Sequence, residues 1–247
     1  AMARALRGDG FDLHFQRIYS LNKERFVSAE ALIRLSDPVL GDIPAQEIVS
    51  IAEANGTIVS IDRYVLRSAC RFIRANGPIG RYGLDMITVN VSTVDLLQED
   101  LYESIISVIL DEGIPFDAVG LEITESASAA FSDELIGRLQ SFAQKGIRLL
   151  LDDFGAGYSN LYRIANLPLY AVKMDHSMFS TYESGTQSAV LFEEMIHMCK
   201  KLGFLVIVEG IHEPRQIEEL RRLGVDRIQG FHYSRPLPSD EFLKLFQ

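Results

Sequence analysis

The sequence predicts an α/β protein, and three observations favour a closed barrel of parallel strands over an open sheet. Four times the chain repeats one grammar: amphipathic helix, glycine, apolar strand, polar residue at the strand end, centred on Gly113, Gly146, Gly203 and Gly224. Strands that alternate with helices imply a parallel sheet. The length, 247 residues, matches the roughly 250 residues of a single α/β barrel. Third, an apolar run, Ile147 to Leu151, stops abruptly at Asp152 and Asp153. Barrel strands converge on one face, where such polar ends meet. No G-x-G-x-x-G follows the first strand, so a dinucleotide-binding open sheet has little support.

The first segment reads as an antiparallel hairpin. Apolar residues alternate in Phe11 to Gln16, Ser20 to Lys23 can turn, and Arg25 to Arg34 runs extended. Glu30, Leu32 and Arg34 share one side of that strand by the two-residue period. Ser36-Asp37-Pro38 and Gly41-Asp42 break the chain, and helices follow over about Ala45 to Ala54 and Ile61 to Ala75. Met86 to Ser92 is a strand, and Val94 to Glu112 a helix with Leu97, Leu101, Ile105 and Ile109 at helical spacing. Val119 to Glu125 is the next strand. The following helix opens at Ser132-Asp133-Glu134, where acids favour the helix dipole, and closes at Gly146. A short helix from about Ser159 leads to the strand Tyr170 to Asp175, and Thr181 to Thr186 reads as a loop. A helix through Leu191, Met195, Met198 and Leu202 precedes the strand Phe204 to Gly210. Last come a charged helix, Glu213 to Leu223, a strand, Val225 to Gly230, and a helix, Ser239 to Phe246.

Composition narrows the function. The chain is 47% hydrophobic with a formal net charge of −10, which argues against a broad surface for a DNA or RNA duplex. No apolar run approaches the ~20 residues of a membrane span. Cys70 and Cys199 lack metal-type spacing and read as reduced thiols of a cytosolic protein. The expected location is the cytoplasm, with membrane anchoring left to any upstream sequence. Residues 1–10 read as an upstream linker or cloning remnant, and residues 11–247 as one domain.

The strand ends offer Glu30, Asn90, Glu122, Asp152, Asp153, Lys173, Asp175, Glu209 and Gln229. Any one acid could be a surface cap or an ion pair. Together at the ends of apolar strands they describe a hard-oxygen site, suited to magnesium or manganese rather than zinc. A carboxylate bridging two such ions suits in-line attack on a phosphodiester. Neighbouring Asp152 and Asp153 cannot face one side of a regular strand, so the chain must turn at Asp153, which Gly155 and Gly157 make easy. Among the histidines, His212 and His232 are placed near the strand-end face, and His14, His176 and His197 at the surface or in packing. Asp153-Phe154-Gly155 lacks the other kinase signatures, and that reading is rejected.

Seven motifs in order carry a resemblance: Glu30-Ala31-Leu32 with Arg34, Asn90-Val91-Ser92, Glu122-Ile123-Thr124-Glu125, Asp152 to Ser159, Lys173-Met174-Asp175, Glu209-Gly210-Ile211 and Gln229-Gly230. The chain resembles an EAL domain, the bacterial phosphodiesterase module for cyclic di-GMP, from about Phe11 to Phe246. The resemblance implies a modified TIM (β/α)8 barrel that hydrolyses cyclic di-GMP to linear 5′-pGpG with two Mg2+ or Mn2+ ions. It implies that Glu30, Asn90, Glu122 and Asp152 hold one ion, with Asp152 bridging to a second that Asp153 helps to hold. Lys173 would orient the attacking water, and Glu209 would be general base or a further metal-site acid. Glu125 would anchor the loop after Asp153, and Gln16, Arg34 and Gln229 would hold substrate or its water network. A homodimer and an upstream sensory or GGDEF-type domain are implied as partners. The chain departs from the family pattern at Arg17, Leu35, Val208 and His212, none of them a metal ligand. The competing reading is a catalytically silent cyclic di-GMP receptor, which usually lacks some of the acids that this chain keeps.

Overall fold

A computed structural model describes residues 10–77, 79–125, 127, 132–156, 161–184 and 186–246. Eight strands close a barrel: β1 (Phe11–Ser20), β2 (Arg25–Asp37), β4 (Met86–Val91), β5 (Val119–Thr124), β6 (Arg148–Phe154), β7 (Ala171–Met174), β8 (Leu205–Val208) and β9 (Arg227–Ile228). Two short strands lie outside the ring. β3 (Gly41–Ile43) pairs with the end of β2, and β10 (Leu237–Pro238) pairs with β1 at His14 and Phe15. From β2 through β9 the ring is parallel, and β1 enters antiparallel between β9 and β2. The expected hairpin is therefore present, and its first strand is the stave that closes the barrel.

Helices pack around the ring: α1 (Ala45–Ala54), α2 (Ile58–Asn76), α3 (Thr93–Leu96), α4 (Leu101–Glu112), α5 (Asp133–Lys145), α6 (Leu161–Ile164), α7 (His176–Ser184), α8 (Thr186–Lys201), α9 (Pro214–Arg222) and α10 (Ser239–Lys244). Capping follows the sequence. Ser92 and Ser132 accept backbone N–H groups of Asp95 and Leu135 through their hydroxyls, which satisfies donors that a helix start leaves open.

Four expectations need correction. The helix read over Val94 to Glu112 is two helices, broken at 97–100, where Gln98, Glu99 and Asp100 give no apolar face to bury. The stretch read as a loop over Thr181 to Thr186 is mostly helix α7 and the start of α8. Phe179 is buried there against Tyr182 and Phe192, so packing overrides a polar local sequence. The break after Ser36 contains β3, and the last barrel strand is only Arg227–Ile228. The helix start expected near Ser159 lies outside the described residues, as do Gly157 and Tyr158.

The two faces of the strands separate two cores. Outward-facing residues such as Ile87, Val89, Leu121, Leu149, Leu151 and Val206 join the helices in one large apolar cluster. Inward-facing Ile18, Met86, Leu150, Ala171 and Ile207 form a second, small cluster that plugs the barrel. Gly120 faces this plug. A Cβ there would stand 2.7 Å from Thr88 Cγ2 and 3.1 Å from Leu150 Cδ1, so the packed interior has no room for one. Two residues away on β1 (Ile18 to Gln16), β6 (Leu150 to Asp152), β7 (Ala171 to Lys173) and just past β8 (Ile207 to Glu209), the inward positions change from apolar to polar, and there the site begins.

Candidate metal and catalytic centre

By the two-residue period, the positions above the plug are Gln16 on β1, Glu30 on β2, Asn90 on β4, Glu122 on β5, Asp152 on β6 and Lys173 on β7. Glu209 and Gln229 directly follow β8 and β9. The ladder sets some of these side by side: Gln16 pairs with Glu30, and Asn90 with Glu122. A single sequence period thus delivers both the plug and the polar layer.

Lys173 is the hub. It is 1% exposed, and its Nζ lies 2.5 Å from Glu122, 2.7 Å from Glu209, 3.1 Å from Asp152 and 3.3 Å from Glu30. Burial disfavours its charged form, but the four carboxylates outweigh that and hold the ammonium well above its ordinary range. Glu30 is also buried. Lys173 and side-chain bonds from Gln229 and Asn90 overcome that burial and keep its carboxyl below the ordinary value. The Asn90 amide donates to Glu30 Oε1 at 2.8 Å. The Gln229 amide donates to Glu30 Oε2 at 2.7 Å and to Gln16 Oε1 at 3.1 Å, and Gln16 donates to the Ser234 carbonyl.

Four carboxylates around one ammonium leave the layer strongly negative. Burial, then repulsion from Glu30, pushes Glu122 well above the carboxylate range. Burial, with Asp152 and Glu30, lifts Glu209 to about 7 despite the pull of Lys173. Glu122 Oε1 and Asp152 Oδ1 are buried and accept no hydrogen bond; the contact from Lys173 to Asp152 Oδ1 is an ion pair without hydrogen-bond geometry. Unsatisfied buried carboxylate oxygens in an anionic pocket fit a hard divalent cation.

The turn expected at Asp153 is present. The β6–β7 register breaks between Leu151 and Phe154, and Asp153 has φ 57. This left-handed backbone is tolerated by aspartate better than by most residues. The irregularity lets two successive carboxylates reach one region. Asp152, Asp153 and Glu209 each bring an oxygen into a group whose members all lie within 4.8 Å. Burial, then Asp152 and Asp175, raises the Asp153 carboxyl. The turn is held from below, because the Gly155 N–H donates to Glu125 Oε2 at 2.7 Å and Glu125 is 4% exposed.

The layer opens into a cavity of about 460 Å3 bordered by Glu30, Asp152, Lys173, Glu209 and Gln229. Arg34 stands apart. It lines a neighbouring cavity of about 580 Å3 and donates to the Ile33 carbonyl at 2.7 Å. Burial lowers its guanidinium and the Glu30 charge opposes that. Histidine placement is partly corrected. His212 borders the site cavity, and so does His176, which the sequence places at the surface or in packing; His232 is not among the residues that border it. Phe231 also borders the cavity, 50% exposed, with the Arg235 guanidinium 4.8 Å from its ring centre. Sequence reasoning missed His176 and Phe231, although each lies one to three residues past an expected strand-end residue.

Comparison with known proteins agrees with this geometry. The family model described as EAL domain matches residues 1–236. The cyclic di-GMP phosphodiesterase NbdA of Pseudomonas aeruginosa is 33% identical over the full chain, which covers 32% of that protein. The signaling protein YkoW of Bacillus subtilis is 31% identical over 98% of the chain, covering 30% of its length. The chain thus spans about a third of these two relatives. Among solved structures, the c-di-GMP complex of the phosphodiesterase PaMucR superposes with a TM-score of 0.91 at 28% identity, covering 98% of this chain and 97% of that one. The EAL domain of Mycobacterium smegmatis DcpA gives 0.79 at 28% identity, covering 96% and 97%.

Proposed function

The chain belongs to the EAL domain family, and from that premise we propose that it hydrolyses cyclic di-GMP to linear 5′-pGpG with two Mg2+ or Mn2+ ions. The observation that carries this reading is the acidic layer: four carboxylates on one buried ammonium, with Asp152, Asp153 and Glu209 grouped beside it. Glu30, Asn90, Glu122 and Asp152 would hold one ion, and Asp152 with Asp153 a second. Ions in these places would supply Lewis-acid neutralisation of the charge that builds on the phosphodiester.

This chain's residues do the rest. The oxygen of a water forms a bond to phosphorus while the bond from phosphorus to the 3′ oxygen breaks. Glu209 accepts the water's proton, and the 3′ oxygen leaves as a hydroxyl after taking a proton from solvent. Lys173, paired with Glu209 at 2.7 Å, fixes that carboxylate and through it orients the water. Gln16 and Gln229 hold Glu30 in place through their amide chain. Arg34 sits beside the cavity as a guanidinium for a phosphate oxygen, bidentate in the manner lysine cannot match.

The test is incubation of the purified protein with cyclic di-GMP and Mg2+ or Mn2+, with and without chelator, and chromatography of the products. Linear pGpG that appears only with metal supports the reading. Tight binding without any product overturns it in favour of the receptor.

A further inference from the structure

The geometry points to His176 and Met178, on the first turn of α7, as positioning residues that set the spacing of Asp153 and Glu209. This rests on the two-ion reading above, because those acids belong to the group that would hold the second ion and the attacking water.

The sheet fixes that spacing only in part, through a bond from the Glu209 N–H to the Met174 carbonyl at 3.1 Å. Asp153 lies in the break of the β6–β7 register, and β8 ends at Val208, one residue before Glu209. Each acid is followed closely by a glycine at positive φ, Gly155 (94°) and Gly210 (71°). Both glycines are covered by α7. A Cβ on Gly155 would stand 2.7 Å from Met178 Cγ and 2.9 Å from its Sδ. One on Gly210 would stand 2.6 Å from His176 Cβ and Cγ, and closer still to the ring. Separations below 3.0 Å are essentially absent for real Cβ atoms. Two side chains of one helical turn therefore occupy the space above both acid-bearing turns.

The clamp is itself held. Asp175 Oδ1 accepts the Ser177 N–H at 2.9 Å, which fixes the start of the helix. The His176 ring nitrogens lie 3.2 and 3.3 Å from Ser180 Oγ, and the ring meets that of His212 at 5.7 Å between centres. Phe179, 1% exposed, packs on Phe192 and ties α7 to α8. From the other side, Glu125 grips the Gly155 N–H. Gly155 is thus pinned between Glu125 and Met178. α7 also starts three residues after Lys173, so hub and clamp sit on one short stretch of chain.

The test uses Met178→Ala, Met178→Leu and His176→Ala beside the wild type. Mn2+ alone is titrated into each protein and followed by electron paramagnetic resonance; kcat and KM for cyclic di-GMP are measured separately. Groups that orient metal ligands typically change metal affinity by about 10- to 100-fold. Met178→Ala and His176→Ala should therefore weaken the second Mn2+ about ten-fold and leave the first within about two-fold. kcat should fall more than KM rises. Met178→Leu, which refills the space over Gly155, should restore the second ion. If Met178→Ala melts below the assay temperature in chelator, His176→Ala and Met178→Val carry the comparison. Wild-type stoichiometry and affinity in the folded variants would overturn the inference, as would a loss in Met178→Leu equal to that in Met178→Ala. Wild type that binds two Mn2+ but yields no pGpG removes the enzymatic reading alone, since the Mn2+ comparison still decides the clamp. Wild type that binds fewer than two ions removes the clamp.

Discussion

Replacing Lys173 by methionine should destabilise the protein by about 4 kcal/mol at neutral pH in the presence of chelator. Two routes give this size. Breaking a buried ion pair from one side costs about 3–5 kcal/mol, and Lys173 is the partner of four carboxylates at 2.5–3.3 Å. The variant can escape the repulsion by taking up a proton. Holding a proton at pH 7 on a carboxylate of ordinary pKa, about 4.3, costs about 1.4 kcal/mol per pH unit, or about 3.7 kcal/mol. At about 2–4 °C per kcal/mol for a chain of this size, the melting midpoint falls by about 8–16 °C. The sign with pH follows from linkage. Without Lys173 a further folded carboxylate, beyond Glu122 and Glu209, titrates above its unfolded value, so the native variant binds more protons than wild type, and the extra stability loss grows as pH rises from about 4 to 7. The deficit relative to wild type should shrink to about 1 kcal/mol near pH 5. Urea denaturation at pH 5, 6, 7 and 8 in chelator measures it. A deficit below 1 kcal/mol at pH 7, or one that does not change with pH, would refute the account of Lys173 as the counter-charge of the layer.

Asp152→Asn should lower turnover at least about 100-fold with the fold intact, because one of the proposed ligands of both ions loses its charge; near-normal turnover would remove the bridging role, and circular dichroism checks the fold. Arg34→Ala should weaken binding of a non-hydrolysed substrate analogue about 10- to 100-fold, the worth of charge-assisted hydrogen bonds, with Mn2+ affinity unchanged by calorimetry; parallel losses in both would contradict the separate cavities. Away from the site, burial raises the Asp62 carboxyl to about 7, against the pull of its bond from Ser92. The native state then holds a proton that the unfolded chain releases above about 3.9, so wild-type stability should fall by up to about 4 kcal/mol between pH 4 and 7. Asp62→Asn keeps an oxygen for the Ser92 N–H and should lose that slope; parallel stability profiles for the two proteins would contradict it.

Much of the centre was legible because each functional residue stands where an apolar run ends. Glu30, Asn90, Glu122, Asp152 and Lys173 could be read as one layer from the two-residue period once a barrel was assumed. The turn at Asp153 was legible because two acids in a row contradict a regular strand. Other features depended on distant packing. Nothing local in Ser180 to Thr186 announces a helix, and α7 exists because Phe179 and Tyr182 bury against Phe192. Lys173 read as a strand-end lysine; only the closed ring shows it enclosed by four acids. Nor could the sequence show that Met178 and His176 lie on Gly155 and Gly210, since those contacts join segments more than 20 residues apart. Arg34 shares a strand side with Glu30 as read, yet faces a separate cavity, because the strand rises beyond the acidic layer before Arg34 is reached.

The place of β1 in the ring bears on how the chain is made. β1 precedes the other barrel strands along the chain, and it pairs with β9 at Tyr19–Ile228 and Ser20–Arg227, and with β10 at His14–Pro238 and Phe15–Leu237. Phe15 also packs its ring against that of Phe242, tilted, with 5.2 Å between centres. During translation β1 can zip onto β2 at once, but its other edge has no partner until residues near 228 leave the ribosome. Joining segments so far apart is entropically costly and slow. An open sheet with an exposed edge strand is the form most exposed to wrong pairing. Nascent chains stalled before Arg227 should therefore be cut readily by protease within β1, whereas chains released through Phe246 should resist. Equal resistance in both would mean that the first strand is secured by β2 alone.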